Sequence, residues 1–116
     1  MAYQGSCHCG AVTFEVAGDA PLEAMSCNCS HCRRKGFLLT FVPASDFALT
    51  AGEDALTTYT FNKHKLRHRF CRTCGVQPFA EGQGKDGADV RAVNLRAVPS
   101  VDLDALVVKR VDGASF

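Results

Sequence analysis

The sequence lacks the long apolar segments of a membrane protein. No stretch approaches the roughly 20 consecutive apolar residues that a spanning helix requires. Residues 1–6 have neither the basic leader nor the apolar centre of a signal peptide. Repeats, low-complexity tracts and linkers are also missing from the 116 residues. We therefore expect a single domain over residues 1–116 that is soluble and cytoplasmic.

Tryptophan is absent too, and ten glycines and four prolines leave little room for long helices. Short helical turns are predicted at 30–35, with Ser30 as the N-cap and Gly36 as the stop, and at 100–105, with Ser100 as the cap. The other apolar runs have strand length or alternate with polar residues. They predict strands at 11–16, 37–42, 57–61, 66–70, 76–80, 90–95 and 106–111, with a turn at Asn62 and Lys63. The expected fold class is mainly β.

The sequence also lacks a large excess of charge of either sign, since the formal net charge is +1. This balance argues against a nucleic-acid-binding domain. Two local clusters are nevertheless basic. They are Arg33-Arg34-Lys35 and the group of Lys63, Lys65, Arg67, Arg69 and Arg72. Solvated strand and helix faces explain such clusters, and attraction of an anionic ligand is the alternative.

Cysteine, by contrast, is abundant, with seven residues in the chain. In a reducing cytoplasm this number is explained better by metal binding than by disulfides. The odd count would also leave one thiol over in an all-disulfide scheme. The cysteines form three groups, at 7–9, 27–32 and 71–74. We expect them to bind zinc, because close thiol pairs from distant segments are the usual source of four tetrahedral ligands.

Four of the cysteines predict a closed, structural zinc site. Cys71 and Cys74 form a C-x-x-C half-site whose turn directs backbone N–H groups at the sulfurs, and Gly75 permits the bend. Cys7 and Cys9 can supply the other half. Joining the two pairs would tie the first strand to the middle of the chain.

The other three cysteines predict an open site. Cys27, Cys29 and Cys32 lie within six residues and can face one ion. They leave a fourth position free, as in catalytic zinc sites. His31 or His8 could fill that position, but each ring is flanked directly by ligand cysteines. Both are better suited to shielding a sulfur or to hydrogen bonding beside the metal.

Two other interpretations of the cysteines stay open. Spacing alone does not fix which pairs meet, so a single zinc could be held by a different four of the seven. A C-x-x-C pair can also be a redox motif, although the βαβ pattern that accompanies thioredoxin-like motifs is absent here.

Three motifs resemble those of a known family. They are G-S-C-H-C-G-A-V at 5–12 with Phe14 following, C-N-C-S-H-C at 27–32, and R-F-C-R-T-C-G at 69–75. In order and spacing they are similar to the glutathione-dependent formaldehyde-activating family, which also includes the centromere protein V type of domain. The resemblance covers residues 5–75, and the tail, with Val93-Asn94-Leu95 and Asp112-Gly113, is compatible with it.

The resemblance implies a small β-tent-like fold of folded antiparallel sheets and two zinc ions per chain. The structural zinc would lie on Cys7, Cys9, Cys71 and Cys74. The second would lie on Cys27, Cys29 and Cys32, where three ligands hold a metal less securely than four. The implied activity is the condensation of glutathione with formaldehyde to S-(hydroxymethyl)glutathione, classed with carbon–sulfur lyases for its reverse direction.

In such an enzyme the three-cysteine site is expected to be catalytic by holding a substrate sulfur as its thiolate. His31 or Arg33 would neutralise the alkoxide that forms when the thiolate adds to an aldehyde. The basic candidates for attracting the carboxylates of glutathione are Arg33, Arg34, Lys35, Arg67 and Arg69. His68 is expected to be a partly buried, hydrogen-bonded residue without a catalytic role.

The second class of function is a non-catalytic, zinc-stabilised binding module. Only Phe61 and Phe70 interleave the basic strand, so nucleic-acid stacking has little support. A small thiol such as glutathione and an aldehyde are therefore the expected partners. The sequence contains no signal for an oligomeric state.

Overall fold

A computed structural model describes residues 1–61, 65–84 and 86–115. Within these ranges the chain forms one α-helix, α1 (Ser30–Lys35), and ten strands. The strands are β1 (Ala2–Ser6), β2 (Thr13–Ala17), β3 (Glu23–Cys27), β4 (Leu39–Pro43), β5 (Phe47–Ala51), β6 (Leu56–Tyr59), β7 (Arg67–Cys71), β8 (Phe79–Gln83), β9 (Asp89–Asn94) and β10 (Val107–Val111). Short 3-10 helices lie at Ala44–Asp46, Glu53–Ala55, Leu95–Ala97, Leu103–Ala105 and Gly113–Ser115. The mainly β fold class is thus confirmed.

The strands form two sheets. The smaller has the order β1-β2-β5, and the larger has the order β10-β3-β4-β9-β8-β7-β6. All pairs are antiparallel except β10 with β3, which run parallel from Val107 opposite Glu23 to Val111 opposite Cys27. The expectation of antiparallel sheets alone was wrong at this edge, because alternation within a strand does not reveal its partner. The parallel pair brings the end of the chain beside Cys27.

The main core joins side chains from both sheets. Phe14 and Val16 of β2 are at most 1% exposed and pack in one cluster with Val93 of β9. Phe47 stacks on Phe14 at a ring-centroid distance of 5.3 Å and meets Phe79 of β8 at 4.7 Å. These contacts follow from the alternation that predicts β2, which places residues 14 and 16 on one face.

Three strands were not predicted. β1, β3 and β5 have only short or interrupted apolar patterns, and they are strands because neighbouring strands pair with their backbones. The predicted strand at 76–80 begins only at Phe79. The predicted turn at Asn62 and Lys63 lies outside the described residues.

The helical turns were placed correctly, but their N-caps were not. Cys29 rather than Ser30 is the N-cap of α1, because its sulfur accepts a hydrogen bond from the backbone N–H of Cys32. Gly36 ends the helix in a left-handed conformation, with φ of 71°. The second turn is a 3-10 helix, and its cap is Asp102 rather than Ser100. No described helix has the length and apolarity needed to cross a membrane.

Candidate metal centres

The first cysteine cluster joins two distant segments of the chain. The sulfurs of Cys7, Cys9, Cys71 and Cys74 all lie within 4.8 Å of one another. Cys9 Sγ is 3.7 Å from both Cys7 Sγ and Cys71 Sγ. A tetrahedral zinc with bonds of about 2.3 Å would place its sulfurs about 3.8 Å apart, whereas a disulfide needs about 2.0 Å. The spacing therefore fits a four-thiolate metal site.

Two tight turns build this cluster. Gly75 has a φ of 80°, and its N–H donates to the carbonyl of Cys71 at 2.8 Å. The turn that begins at Cys7 is one residue shorter and also ends at a glycine, since the N–H of Gly10 donates to the Cys7 carbonyl at 3.3 Å. Each turn also directs a backbone N–H at a sulfur, from Val12 to Cys7 at 3.3 Å and from Thr73 to Cys71 at 3.4 Å. Such donors stabilise thiolates, which are the form that binds metal.

The electrostatics of this cluster favour the ionised form of two of its thiols, Cys71 and Cys74. Burial raises the pKa of Cys74, but backbone N–H groups of Cys9 and Val76 outweigh it, and the pKa falls to about 6. The backbone N–H groups of Cys74 and Thr73 lower the pKa of Cys71. The backbone N–H of Ala11 lowers the pKa of Cys9, but its hydrogen bond with Cys71, together with burial, outweighs this and raises the pKa to about 11. Cys71 and Cys74 are thus the two thiols that are prepared to lose their protons to a metal.

The second cluster lies where β3 passes into α1. The sulfurs of Cys27, Cys29 and Cys32 lie within 4.8 Å of one another. The N–H of Cys29 points to Cys27 Sγ at 3.5 Å, and that of Cys32 to Cys29 Sγ at 3.3 Å. Burial raises the pKa of Cys29, but the backbone N–H and the thiol of Cys32 lower it further, so its net shift is downward. The cluster offers three sulfur ligands on one side of a shared point.

The end of the chain covers one side of this cluster. Asn28 fixes the tail by donating to Asp112 Oδ1 at 3.0 Å and accepting from the N–H of Ala114 at 2.9 Å. Gly113 lies so close that a Cβ there would collide with Cys27 Sγ. The sequence analysis did not predict this contact. Its only signal in the sequence is the pair Asp112-Gly113.

The ring of His31 points away from the sulfurs. It lies 4.1 Å from the ring of His68 and between 5.3 and 5.8 Å from those of Phe37, Tyr59 and Phe61. Burial lowers its pKa, with a smaller contribution from the charge of Lys35. Among the described histidines, none joins either cysteine cluster as a ligand.

The basic residues near the second cluster differ in their surroundings. Arg33 lines a groove of about 540 Å³ together with Cys27, Cys32 and Arg110. Arg34 instead donates to the carbonyl of its own helix at Ser30, at 2.7 Å. Of the predicted basic patch, Arg33 is therefore the residue placed beside the sulfurs.

The arginines of β7 are held by acidic partners. Arg67 and Arg69 lie 3.2 and 3.0 Å from Glu81, and Arg69 also lies 3.3 Å from Glu53. Burial raises the pKa of Glu81, but hydrogen bonds from Arg69 and Arg67 outweigh it and lower the pKa. Because acidic partners compensate their charges, Arg67 and Arg69 do not give β7 the free positive charge that attraction of an anion requires.

A second cavity also borders the three cysteines. It has a volume of about 350 Å³ and is mostly apolar, with His68, Gln77 and Glu81 among its polar lining residues. The sequence did not indicate this cavity, because its walls come from β3, β4, β7, β8 and β9. Only the folded sheet brings these strands to one place.

The fold and the two clusters define a class of protein: a small, mainly β domain with one closed and one open set of cysteine ligands for metal. A sequence model described as glutathione-dependent formaldehyde-activating enzyme matches residues 2–103. The chain therefore belongs to the glutathione-dependent formaldehyde-activating family.

Two similar proteins agree with this assignment. A Halomonas elongata protein with the provisional name of glutathione-dependent formaldehyde-activating enzyme is 32% identical over 83 residues, which is 64% of this chain and 52% of the relative. The chain thus spans about half the length of that curated relative. The crystal structure of a Rhodobacter sphaeroides protein matches with a TM-score of 0.78 and 32% identity, over 91% of this chain and 99% of the other.

Proposed function

We propose that the chain is a zinc-dependent enzyme of the carbon–sulfur lyase type. Its reaction is the reversible addition of glutathione, or another small thiol, to formaldehyde, as in S-(hydroxymethyl)glutathione synthesis. The observation that carries the proposal is the three-cysteine cluster, which borders both a groove with two arginines and an apolar cavity. The seven free cysteines suit a reducing compartment, so we place the enzyme in the cytoplasm.

Both clusters suit zinc, which prefers thiolate ligands in tetrahedral sets. Cys7, Cys9, Cys71 and Cys74 would hold a structural ion, and Cys27, Cys29 and Cys32 would hold a second ion. Zinc in the second site would supply a Lewis acid that keeps a substrate sulfur deprotonated. The backbone N–H groups that point at Cys27 Sγ and Cys29 Sγ support ionised ligands at these two positions, whereas burial raises the pKa of Cys32, which would need the metal to lose its proton.

The reaction needs no oxidant. The thiol proton passes to solvent, the sulfur forms a bond to the carbonyl carbon, and the C=O π bond breaks to give an alkoxide that takes up a proton. Arg33, in the groove beside Cys27 and Cys32, supplies positive charge for the carboxylates of glutathione. The aromatic packing of His31 favours a role in holding α1 against β7 over contact with the substrate.

Gly113 gives a specific test of the second metal. In Gly113→Ala the new Cβ would collide with Cys27 Sγ and displace that sulfur. We expect the zinc content to fall from about two ions to about one per chain, because a site with two thiolates holds zinc weakly, while the fold persists. Metal analysis and circular dichroism measure the two effects. Ala114→Gly changes the same turn without adding an atom and should keep both ions; retention of both by Gly113→Ala would refute the contact.

The activity is tested by exchange between free and hydroxymethylated glutathione, because the addition also proceeds without enzyme. NMR exchange rates should be higher with zinc-loaded protein than with buffer. They should return to the buffer rate in Cys29→Ser, which loses one ligand of the open site. If intact protein with both metals matches buffer, the formaldehyde reaction is wrong, and the two clusters belong either to an enzyme with a different substrate or to a non-catalytic, zinc-stabilised binding module.

Arg33→Gln supplies a further arm of the same experiment. This variant should need a higher glutathione concentration for half-maximal exchange at low salt, and the difference should shrink at high salt. Arg34→Gln removes an equal charge from the same helix but not from the groove, so it should change the exchange less. Equal effects of the two variants would contradict the placement of the thiol in the groove.

A further inference from the structure

The apolar cavity beside the three cysteines is larger than formaldehyde requires. Its volume is about 350 Å³, whereas a water molecule takes up about 30 Å³ of the liquid. Formaldehyde, with two heavy atoms, would leave most of this space unfilled. Cavities of roughly 300–1,000 Å³ are typical of sites for larger organic ligands.

The mouth of the cavity exposes large apolar side chains. Met25, Phe41 and Leu66 line it and are 39%, 49% and 47% exposed. Apolar groups left in water around one cavity indicate a binding surface. Among its described lining residues, Glu81 is the one carboxylate, and Arg67 and Arg69 compensate its charge. The walls thus suit a hydrocarbon group better than the charged backbone of a peptide.

Two buried polar side chains that line the cavity each have an atom without a partner in the part of the chain that the structure describes. His68 and Gln77 are 5% and 4% exposed and both line the cavity. Gln77 Nε2 lies 3.2 Å from His68 Nδ1; if the amide donates this hydrogen bond, the ring proton lies on His68 Nε2. Neither His68 Nε2 nor Gln77 Oε1 has a hydrogen-bond partner within residues 1–61, 65–84 and 86–115. Because buried polar atoms are normally paired, one donor and one acceptor are available to a ligand.

From these observations we infer that the cavity binds an apolar aldehyde with a chain of several carbons, whose oxygen contacts His68 and Gln77. The inference rests on the proposed function, since the thiol would approach from the cysteine cluster. The carbonyl substrate would then be larger than formaldehyde. His68 is buried and hydrogen-bonded, as the sequence predicted, and the inference adds a contact with the ligand to that role.

The two polar atoms can hydrogen-bond with the substrate aldehyde and also with the hydroxyl group of the product. The aldehyde oxygen accepts a hydrogen bond from His68 Nε2–H. When the sulfur bonds to the carbonyl carbon, this oxygen becomes an alkoxide, takes a proton from solvent and becomes a hydroxyl. The hydroxyl can then donate to Gln77 Oε1 while still accepting from His68. The thiol loses its proton to solvent, so no co-reactant is needed. Burial lowers the pKa of His68 to about 4, so the ring is neutral near pH 7.

A series of unreactive alcohols tests binding without catalysis. Ethanol, butan-1-ol and hexan-1-ol carry an oxygen atom on an apolar chain of increasing length. Unlike aldehydes, they do not react with lysine side chains. With zinc-loaded full-length protein we expect affinity to rise about fourfold per methylene. NMR titrations should shift the His68 ring nitrogens and the methyl groups of Leu39 and Leu66. Equal affinities along the series would overturn the inference.

A matched pair of variants locates the binding. Phe41→Ser removes an aromatic wall and should weaken hexan-1-ol binding about tenfold or more. Val108→Ser changes a similarly exposed apolar residue of β10 that does not line the cavity, and should leave affinity unchanged. In the exchange assay, Phe41→Ser should slow the reaction of glutathione with hexanal and not that with formaldehyde.

The outcomes separate this inference from the proposed function. Exchange with formaldehyde but neither binding of hexan-1-ol nor reaction with hexanal overturns the aldehyde cavity and leaves the proposed function standing. Binding of hexan-1-ol with no exchange of any aldehyde refutes both the proposed enzymatic activity and the assignment of an aldehyde as the ligand of the cavity. A concentration-dependent dimer whose contacts cover Met25, Phe41 and Leu66 would show that a second copy occupies the mouth, and would likewise overturn the inference.

Discussion

Cys74→Ser is expected to unfold the protein or make its fold depend on excess zinc. Structural zinc sites contribute roughly 10–16 kcal/mol of apparent binding free energy, which is comparable to the whole stability of a small domain. Serine is a poor zinc ligand, and the remaining three sulfurs join segments separated by 61 residues between Cys9 and Cys71. Thermal unfolding should be followed by circular dichroism, since the chain has no tryptophan.

Cys29→Ser is the control for this prediction. It removes a ligand from the other cluster, whose three cysteines lie within one short segment and do not tie distant strands together. We expect a folded protein with a much smaller loss of melting temperature and little sensitivity to chelators beyond the release of the second ion. Equal thermal losses in the two variants would contradict the assignment of structural and open sites.

Gly52→Ala is expected to cause the next largest loss of stability. Gly52 has a φ of 96°, and a Cβ there would collide with the carbonyl oxygen of Ala11 and the Cα of Val12. Both are backbone atoms, so no side-chain rotation can relieve the overlap. Val12 is fully buried and donates to Cys7 Sγ at 3.3 Å, so a shift would also disturb the closed cluster. Left-handed strain and overpacking together should cost about 3–5 kcal/mol.

Gly18→Ala separates the cost of backbone strain from the cost of the steric clash. Gly18 has nearly the same φ, 97°, but a Cβ there would meet nothing within 4 Å. Its loss should therefore be the backbone strain alone, about 1–2 kcal/mol. Urea unfolding of both variants measures the difference, which is the contribution of the clash. Equal losses would show that Gly52 is needed only for its backbone angle.

The sequence predicted local features well. The turn at 30–35 and its stop at Gly36 were correct, because a glycine at a helix end acts within a few residues. The N-cap was wrong because the sulfur of Cys29 accepts the hydrogen bond that a serine usually accepts. Likewise, β2 was predicted from its own alternation, while β1, β3 and β5 depend on their partners.

What the sequence by itself determined was the chemistry of the two clusters. Thiols spaced one or two residues apart are held together by the turn between them, so the half-sites at Cys7 and Cys71 and the set around Cys29 are local properties. Which half-sites meet was left open by spacing, and only the tertiary structure decided it. The tertiary structure also decided the parallel β10 beside β3, the compensation of Arg69 by Glu81, and the apolar cavity at His68. Each of these joins residues far apart in the chain, and side-chain chemistry specifies what a residue can bind but not which strand will lie next to it.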